Sequence, residues 1–251
     1  MTETVVDVSQ DWETACDVQQ RFMHHPILAP EGVSYAARCR QLRALGGDCY
    51  DFLPLPGNRL AFAIGDASGK SLPAALMIAN VQSSLRTAAL FAGENPATVL
   101  RAVNAQLHTA SLTDHFATLF YGVFDPATRI LRYANAGHHP PIILRRSGAP
   151  DSLEVADLPL GLFRDTAYEP SSVRLRPGDI VIAYTDGVVE AVNAAGAEWG
   201  IDGLRQAAIQ SIAQPAALHP EDLVDALFAS LDAFSEGRLS DDATLAVLLP
   251  H

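Results

Sequence analysis

Apolar and polar positions change period several times along the chain, and each change marks an element. Residues 9–25, SQDWETACDVQQRFMHH, put Trp12, Ala15, Val18 and Phe22 on one helical stripe that Pro26 ends. Three short runs with strand character follow: VSYAARCR (33–40), CYDFLPL (49–55) and RLAFAIGD (59–66). The turn PGN between the last two predicts a hairpin. Helical runs at 72–91 and 96–111 are separated by the breaker AGENP. Strands are then predicted at 116–125, 129–136, 141–146, 171–176 and 179–186, punctuated by Pro-Ala-Thr, Ser-Gly and Pro-Gly turns. Helices at 200–213 and 220–236 and a last strand at 243–249 complete the chain.

Strands joined by short turns point to antiparallel pairing, because parallel neighbours need a crossover of about a dozen residues or more. The helices come in blocks and do not alternate with strands. The expected class is therefore α+β. The region from residue 31 to 251 holds no repeat, no low-complexity segment and no linker long enough to separate domains.

The stretch IGDASGKS, 64–71, lies between an apolar run and a helical run, the setting of a phosphate-binding loop. That loop requires G-x-x-x-x-G-K-[ST]. With Gly69, Lys70 and Ser71 fixed, the first glycine falls at Ile64, and Gly65 is one residue late. Asp66 also puts a carboxylate where phosphate charge would sit. An ATPase is the weaker reading.

Composition narrows the remaining classes. A net charge of −12 argues against a nucleic-acid surface. No apolar run approaches the ~20 residues that span a bilayer, and the acidic start MTETVVDVSQDWE is unlike a secretory signal. Cys16, Cys39 and Cys49 form neither a disulfide framework nor a zinc spacing, so a reducing cytosol is the expected location. None begins a C-x₅-R signature, since Phe22, Leu45 and Leu55 stand where arginine is needed.

Acids at strand ends carry the chemistry. Asp48 lies in LGGDCYD, Asp66 in AIGDASG, Asp186 in AYTDGV, and Asp241 and Asp242 in LSDDATL. Each adjoins a run expected to be buried, where an unpaired carboxylate costs several kcal/mol. One such aspartate is an ordinary turn or cap residue. Several, with no basic run to balance them, suit a hard divalent cation such as Mg²⁺ or Mn²⁺. Gly46, Gly47, Gly65 and Gly187 permit close backbone approach. His138 or His139, in NAGHHPP, offers a proton donor or simply a turn histidine; Arg145 and Arg146 offer a phosphoprotein contact or a solvated strand end. His24, His25, His108, His115, His219 and His251 share no ligand spacing.

In order, LGGDCYDF, IGDASGKSLPAALMIA, FATLFYGVFD, YANAGHHPPII, RPGDIVIAYTDGVVEAVN and SDDATLAVL resemble the motifs of metal-dependent, PPM-type serine/threonine protein phosphatases, in the bacterial SpoIIE/RsbU branch. The likeness runs from about residue 12 to 249. It implies an αββα sandwich of two antiparallel sheets flanked by helices, with two divalent cations, Mn²⁺ or Mg²⁺, at one edge. By position, Asp66 would bridge both ions and the Ala67 carbonyl would bind one; Asp186 and Asp241 would hold the other, with Asp242 as the neighbour and alternative ligand. Asp48 would be a ligand or accept from metal-bound water. The implied reaction is direct attack by a metal-bridging hydroxide, without a phosphoenzyme. Ser71 stands where many relatives carry glycine, and Cys49, next to Asp48, should face away from the metals.

The resemblance further implies a phosphorylated protein substrate, a STAS-type anti-sigma-factor antagonist in a partner-switching pathway. A phosphatase-like module that binds phosphoprotein and hydrolyses it weakly is the alternative. Residues 1–30 are expected to form a helical regulatory or dimerisation segment, and 31–251 the phosphatase domain. The first helix should pack on the core or on a second copy and tune the metal site.

Overall fold

The periodicities resolve into six helices and ten strands among the residues that a computed structural model describes, 8–23, 28–110, 115–145, 151–154, 156–212 and 219–251. The predicted helix tails at 24–25, 111 and 213, and the residues His24, His25 and Arg146, lie outside these. In chain order the elements are α1 (Val8–Met23), β1 (Val33–Arg40), β2 (Asp48–Leu55), β3 (Arg59–Ala67), α2 (Leu72–Ala92), α3 (Pro96–Ala110), β4 (Ala117–Asp125), β5 (Ile130–Ala136), β6 (Ile142–Leu144), β7 (Asp151–Ser152), β8 (Ser171–Arg174), β9 (Ile180–Tyr184), α4 (Asp186–Val189), α5 (Gly200–Ile212), α6 (Pro220–Ser235) and β10 (Ala243–Pro250).

All strand pairs are antiparallel, in two five-stranded sheets ordered β1-β10-β9-β6-β7 and β2-β3-β4-β5-β8. The PGN turn closes the β2–β3 hairpin as expected. Three apolar layers hold the αββα stack together. One lies between α2–α3 and the second sheet, one between α4–α6 and the first, and one between the sheets. Small residues along α2 (Ala74, Ala75, Ala89) let it approach its sheet, and Pro73 starts it where a missing N–H costs nothing.

A row of aromatic contacts lines the inter-sheet face, the first across the two sheets and the others within the second. Tyr35 stacks on Phe52 with centroids 4.0 Å apart, and Phe62–Phe120 and Phe120–Tyr133 follow at 5.5 and 5.6 Å. Such pairs contribute about 0.5–1.5 kcal/mol each beyond area burial. A slip by one residue would turn this face outward.

Two readings are corrected, and one strand went unpredicted. The strand expected over 179–186 stops at Tyr184, and Asp186 opens the short helix α4. β7, only two residues long, carries too little pattern to be read. On α1, Val18 is 49% exposed, while Gln19 and Met23 are buried. The helix turns a polar residue inward because Gln19 finds hydrogen-bond partners there. No helix among the described residues is long and apolar enough to cross a membrane.

Candidate functional site

Strand parity builds the site. Tyr50 and Phe52 of β2, and Leu60, Phe62 and Ile64 of β3, face the other sheet. With a period of two, Asp48 and Asp66 continue that face at the strand ends. They are direct partners in the β2–β3 register. Cys49 has the opposite parity and packs in the helix-side layer, as expected. On the facing sheet, Val181 and Ala183 of β9 and Ala246 and Leu248 of β10 point inward, so Thr185 and Thr244 do as well.

Those threonines tie the two sheets together. Both hydroxyls donate to Asp48 Oδ2, at 2.7 Å from Thr185 and 2.6 Å from Thr244. The Thr244 N–H donates to Thr185 Oγ1 and locks the pair. Asp48 is buried; that burial first, and the Asp66 charge second, push its carboxyl well above the usual range against the two hydroxyl bonds. The sequence reading missed both threonines. Their signal was parity: each adjoins a predicted acid and continues a buried strand face.

Asp186 follows β9 and Asp241 and Asp242 precede β10, which puts them at the same end of the sandwich as Asp48 and Asp66. Asp66 is pushed up to about 7, by desolvation first and then by the charges of Asp186, Asp241 and Asp242, while the Ala67 N–H pulls the other way. Asp186 is raised as well, by burial most of all; the Gly187 N–H, His139 and Lys70 oppose the rise, and Asp241 adds to it. Asp66 and Asp186 are thus raised mainly by burial, with the neighbouring carboxylates adding to it. Lys70, the chain's only lysine, reaches Asp241 Oδ2 at 2.5 Å.

The two adjacent aspartates differ in engagement. Asp242 Oδ1 accepts the Leu42 N–H at 2.7 Å and Oδ2 the Gly47 N–H at 2.8 Å. Asp241 meets Lys70 and the Asp242 N–H from a more open position. Close approach explains the glycines. A Cβ on Gly47 would stand 3.0 Å from the Ala67 carbonyl oxygen and 3.2 Å from Asp66 Oδ1, filling the cradle beside these two oxygens, and one on Gly187 would stand 2.0 Å from the Asp242 carbonyl oxygen.

His138 is a turn residue. Its backbone exchanges hydrogen bonds with the Asn135 side chain, and its Nδ1 lies 2.9 Å from Thr118 Oγ1. Burial, with His139 adding, pushes it down to about 3, so it is neutral near pH 7. His139 stacks on Tyr184 with centroids 5.8 Å apart and acts on Asp186. Arg145 is spent on intramolecular bonds to Asp179 and Asp151.

The donor set that the resemblance implies is hard oxygen throughout: carboxylates plus the Ala67 carbonyl. Among the described residues no three His, Cys, Asp or Glu side chains converge on one point as chelators. Mg²⁺-like cations do not require it, since they bind through one or two carboxylates and keep several waters. The site fits such ions.

Comparison with known proteins settles the family. The profile described as "Stage II sporulation protein E (SpoIIE)" matches residues 56–249. The chain belongs to the SpoIIE family. It is 30% identical over 210 residues to Protein IcfG of Synechocystis, covering 71% of this chain and 32% of IcfG. With the phosphoserine phosphatase RsbU of Bacillus subtilis it shares 26% over 244 residues, 96% of this chain and 70% of RsbU. It thus spans about a third of one relative and most of the other. The SiaA PP2C domain of Pseudomonas aeruginosa superposes with a TM-score of 0.82 over 100% of both chains at 18% identity, which shows the shared fold. The RsbU and RsbW domains of a Mycobacterium tuberculosis protein match with a TM-score of 0.72 at 26% identity, over 89% of this chain and 61% of theirs.

Proposed function

We propose that this chain is a divalent-cation-dependent phosphatase acting on phosphoserine or phosphothreonine in another protein. The observation that carries it is the gathering of Asp48, Asp66, Asp186 and Asp241 at one end of the sandwich. Among the described residues only Lys70 is ion-paired to any of them. So much negative charge costs several kcal/mol unless it is balanced, and two cations balance it. The likeness to RsbU, and to RsbP of the same organism, both named phosphoserine phosphatases, supports the reading.

In this reading Asp66, the Ala67 carbonyl, Asp186 and Asp241 would hold the Mn²⁺ or Mg²⁺ ions. Asp241 is favoured over Asp242, whose two oxygens are already held by backbone amides. Asp48, gripped by Thr185 and Thr244, fixes the position and charge of the strand end behind Asp66. Bound cations supply the Lewis acidity that makes water nucleophilic near neutral pH and neutralises phosphoryl charge. His139, beside Asp186, is the residue to hand a proton to the leaving alkoxide; His138, kept neutral by burial, is not. Cys49 is no nucleophile, because burial raises its thiol and its side chain packs away from the acids.

The RsbU likeness also supports the substrate class, a phosphorylated STAS-type anti-sigma-factor antagonist in the cytosol. Residues 1–30 would serve as a regulatory segment on a 31–251 phosphatase domain, and exposed Val18 gives α1 a surface for a second copy. Light scattering of the full chain against Val18→Glu tests that contact. The central test is Mn²⁺-dependent hydrolysis of p-nitrophenyl phosphate and of a phosphoserine protein. Asp66→Asn and Asp186→Asn should each lower it by at least ~100-fold, more than the loss of an outer-shell metal partner. Unchanged turnover in both variants, or a phosphoenzyme trapped by acid quench, would overturn the reading. Binding without turnover in wild type would favour a phosphoprotein-binding module.

A further inference from the structure

Of the seventeen Lys and Arg side chains in this protein all but Lys70 are arginine, and the exception lies at the acidic centre. Its Nζ meets Asp241 Oδ2 at 2.5 Å and the Ser240 carbonyl at 3.4 Å. Its charge also reaches Asp186. The two oxygens of Asp241 are divided between partners. Oδ1 accepts the Asp242 N–H at 2.9 Å, so Oδ2 is the oxygen left for a cation, and Lys70 sits on it. Two cations on one oxygen repel. A divalent ion bound there displaces the ammonium.

The segment that carries Lys70 allows that exchange. Ser68 is fixed by its N–H to the Phe116 carbonyl at 2.8 Å, and Ser71 by its carbonyl to the Ala75 N–H at 2.9 Å. Between them Gly69 takes φ +94°, with nothing within 4 Å of where a Cβ would stand. The ion pair is itself open, with 48% of the lysine and 36% of the Asp241 side chain exposed. Such a pair shifts an equilibrium by no more than about fivefold. A lysine makes it as a point charge on a flexible stem, whereas an arginine fork would grip both oxygens.

We infer that Lys70 is a tethered counter-cation of the acidic centre: its ammonium holds Asp241 Oδ2 in the metal-free chain and yields that oxygen to a divalent cation, so that the exchange sets cation affinity. This rests on the reading of the centre as a divalent-cation site. Lys70 acts on the cation equilibrium through Asp241, as a positioning residue. The exchange replaces one positive charge by two, which favours the divalent ion once it is abundant. Below that concentration the lysine offsets the repulsion among the carboxylates.

The test uses the full chain grown with [¹³Cε]lysine, which carries one labelled side chain. A Mg²⁺ titration should narrow that signal about twofold as the released ammonium gains motion on the ps–ns scale. It should approach the line of metal-free Asp241→Asn, where the ion pair is already broken. The midpoint should coincide with the Mg²⁺ Kd from calorimetry. Mn²⁺ affinity, from free Mn²⁺ measured by electron paramagnetic resonance, is the second readout. Lys70→Met removes the competitor and should lower the Mn²⁺ Kd about threefold. Lys70→Arg keeps the charge, grips Asp241 harder and should raise the Kd by a similar factor. Arg59→Met, which breaks the Arg59–Glu94 pair at the far end of β3 from Asp66, should leave it unchanged. A lysine signal that keeps its width while Mg²⁺ saturates the protein, or a Lys70→Met Kd no lower than that of wild type, would overturn the inference. So would a raised KM for a phosphoserine protein at unchanged Mn²⁺ Kd, which would make Lys70 a substrate contact. Wild type that binds neither Mg²⁺ nor Mn²⁺ would instead refute the cation-site reading itself.

Discussion

Replacing Asp66 by Asn should make the metal-free protein more stable while removing its activity. Asp66 in the folded chain titrates near 7, against 3.8 for an unperturbed aspartate, through burial and the charges of Asp186, Asp241 and Asp242. A group raised in this way contributes stability that is fully present below pH 3.8 and is lost as pH rises through 7. Three units at ~1.4 kcal/mol each give about 4 kcal/mol as an upper bound. Part of that shift is shared with the neighbouring acids, so a recovery of about 2 kcal/mol is expected at pH 8. Urea unfolding of wild type and Asp66→Asn in EDTA, at pH 4 and pH 8, measures it. Comparing the two pH values cancels any pH-independent packing change from the amide. The variant should gain about 2 kcal/mol on wild type between pH 4 and pH 8, a rise of roughly 4–8 °C in melting temperature. Mn²⁺ at a hundred times its Kd should then stabilise wild type by about 2.7 kcal/mol and reverse the order. A stability difference independent of pH, or one favouring wild type more at pH 8 in EDTA, would refute the electrostatic account.

Other outcomes follow from the same geometry. Ser71 holds φ 64° and ψ −144°, a conformation open mainly to glycine, so Ser71→Gly should stabilise by about 1 kcal/mol in urea unfolding. His138 is pushed down to about 3, so the stability it contributes is present above pH 6.5 and lost as pH falls toward 3. Wild type should lose about 3 kcal/mol between pH 6.5 and 4 relative to His138→Gln, as judged by acid-dependent melting. Gly187→Ala would place a Cβ 2.0 Å from the Asp242 carbonyl oxygen, and should cost about 3 kcal/mol or more by the same unfolding assay. Thr185→Val and Thr244→Val together should strip Asp48 of both donors and lower stability by about 2–4 kcal/mol at pH 8, read by thermal melting.

Most strands and helices, and the ends at which the acids lie, could be read from the chain alone. Hydrophobic period and turn chemistry are local, and each aspartate that ends a buried run announces itself within a few residues. Parity also placed Cys49 away from the acids before any pairing was known. The partnership of β1 with β10, across most of the chain, was beyond such reading, as was the joint grip of Thr185 and Thr244 on Asp48. Asp241 and Asp242 look equivalent as neighbours in sequence; they separate only when the Leu42 and Gly47 amides claim the second. On α1 the apolar stripe pointed to Val18, yet Gln19 turned inward, because its partner Gly46 lies 27 residues on and periodicity carries no record of a distant peptide. Sequence determined where the chain bends and which face of each strand is oily; tertiary structure decided which charges meet, because electrostatic cost depends on distances that only the closed sandwich defines.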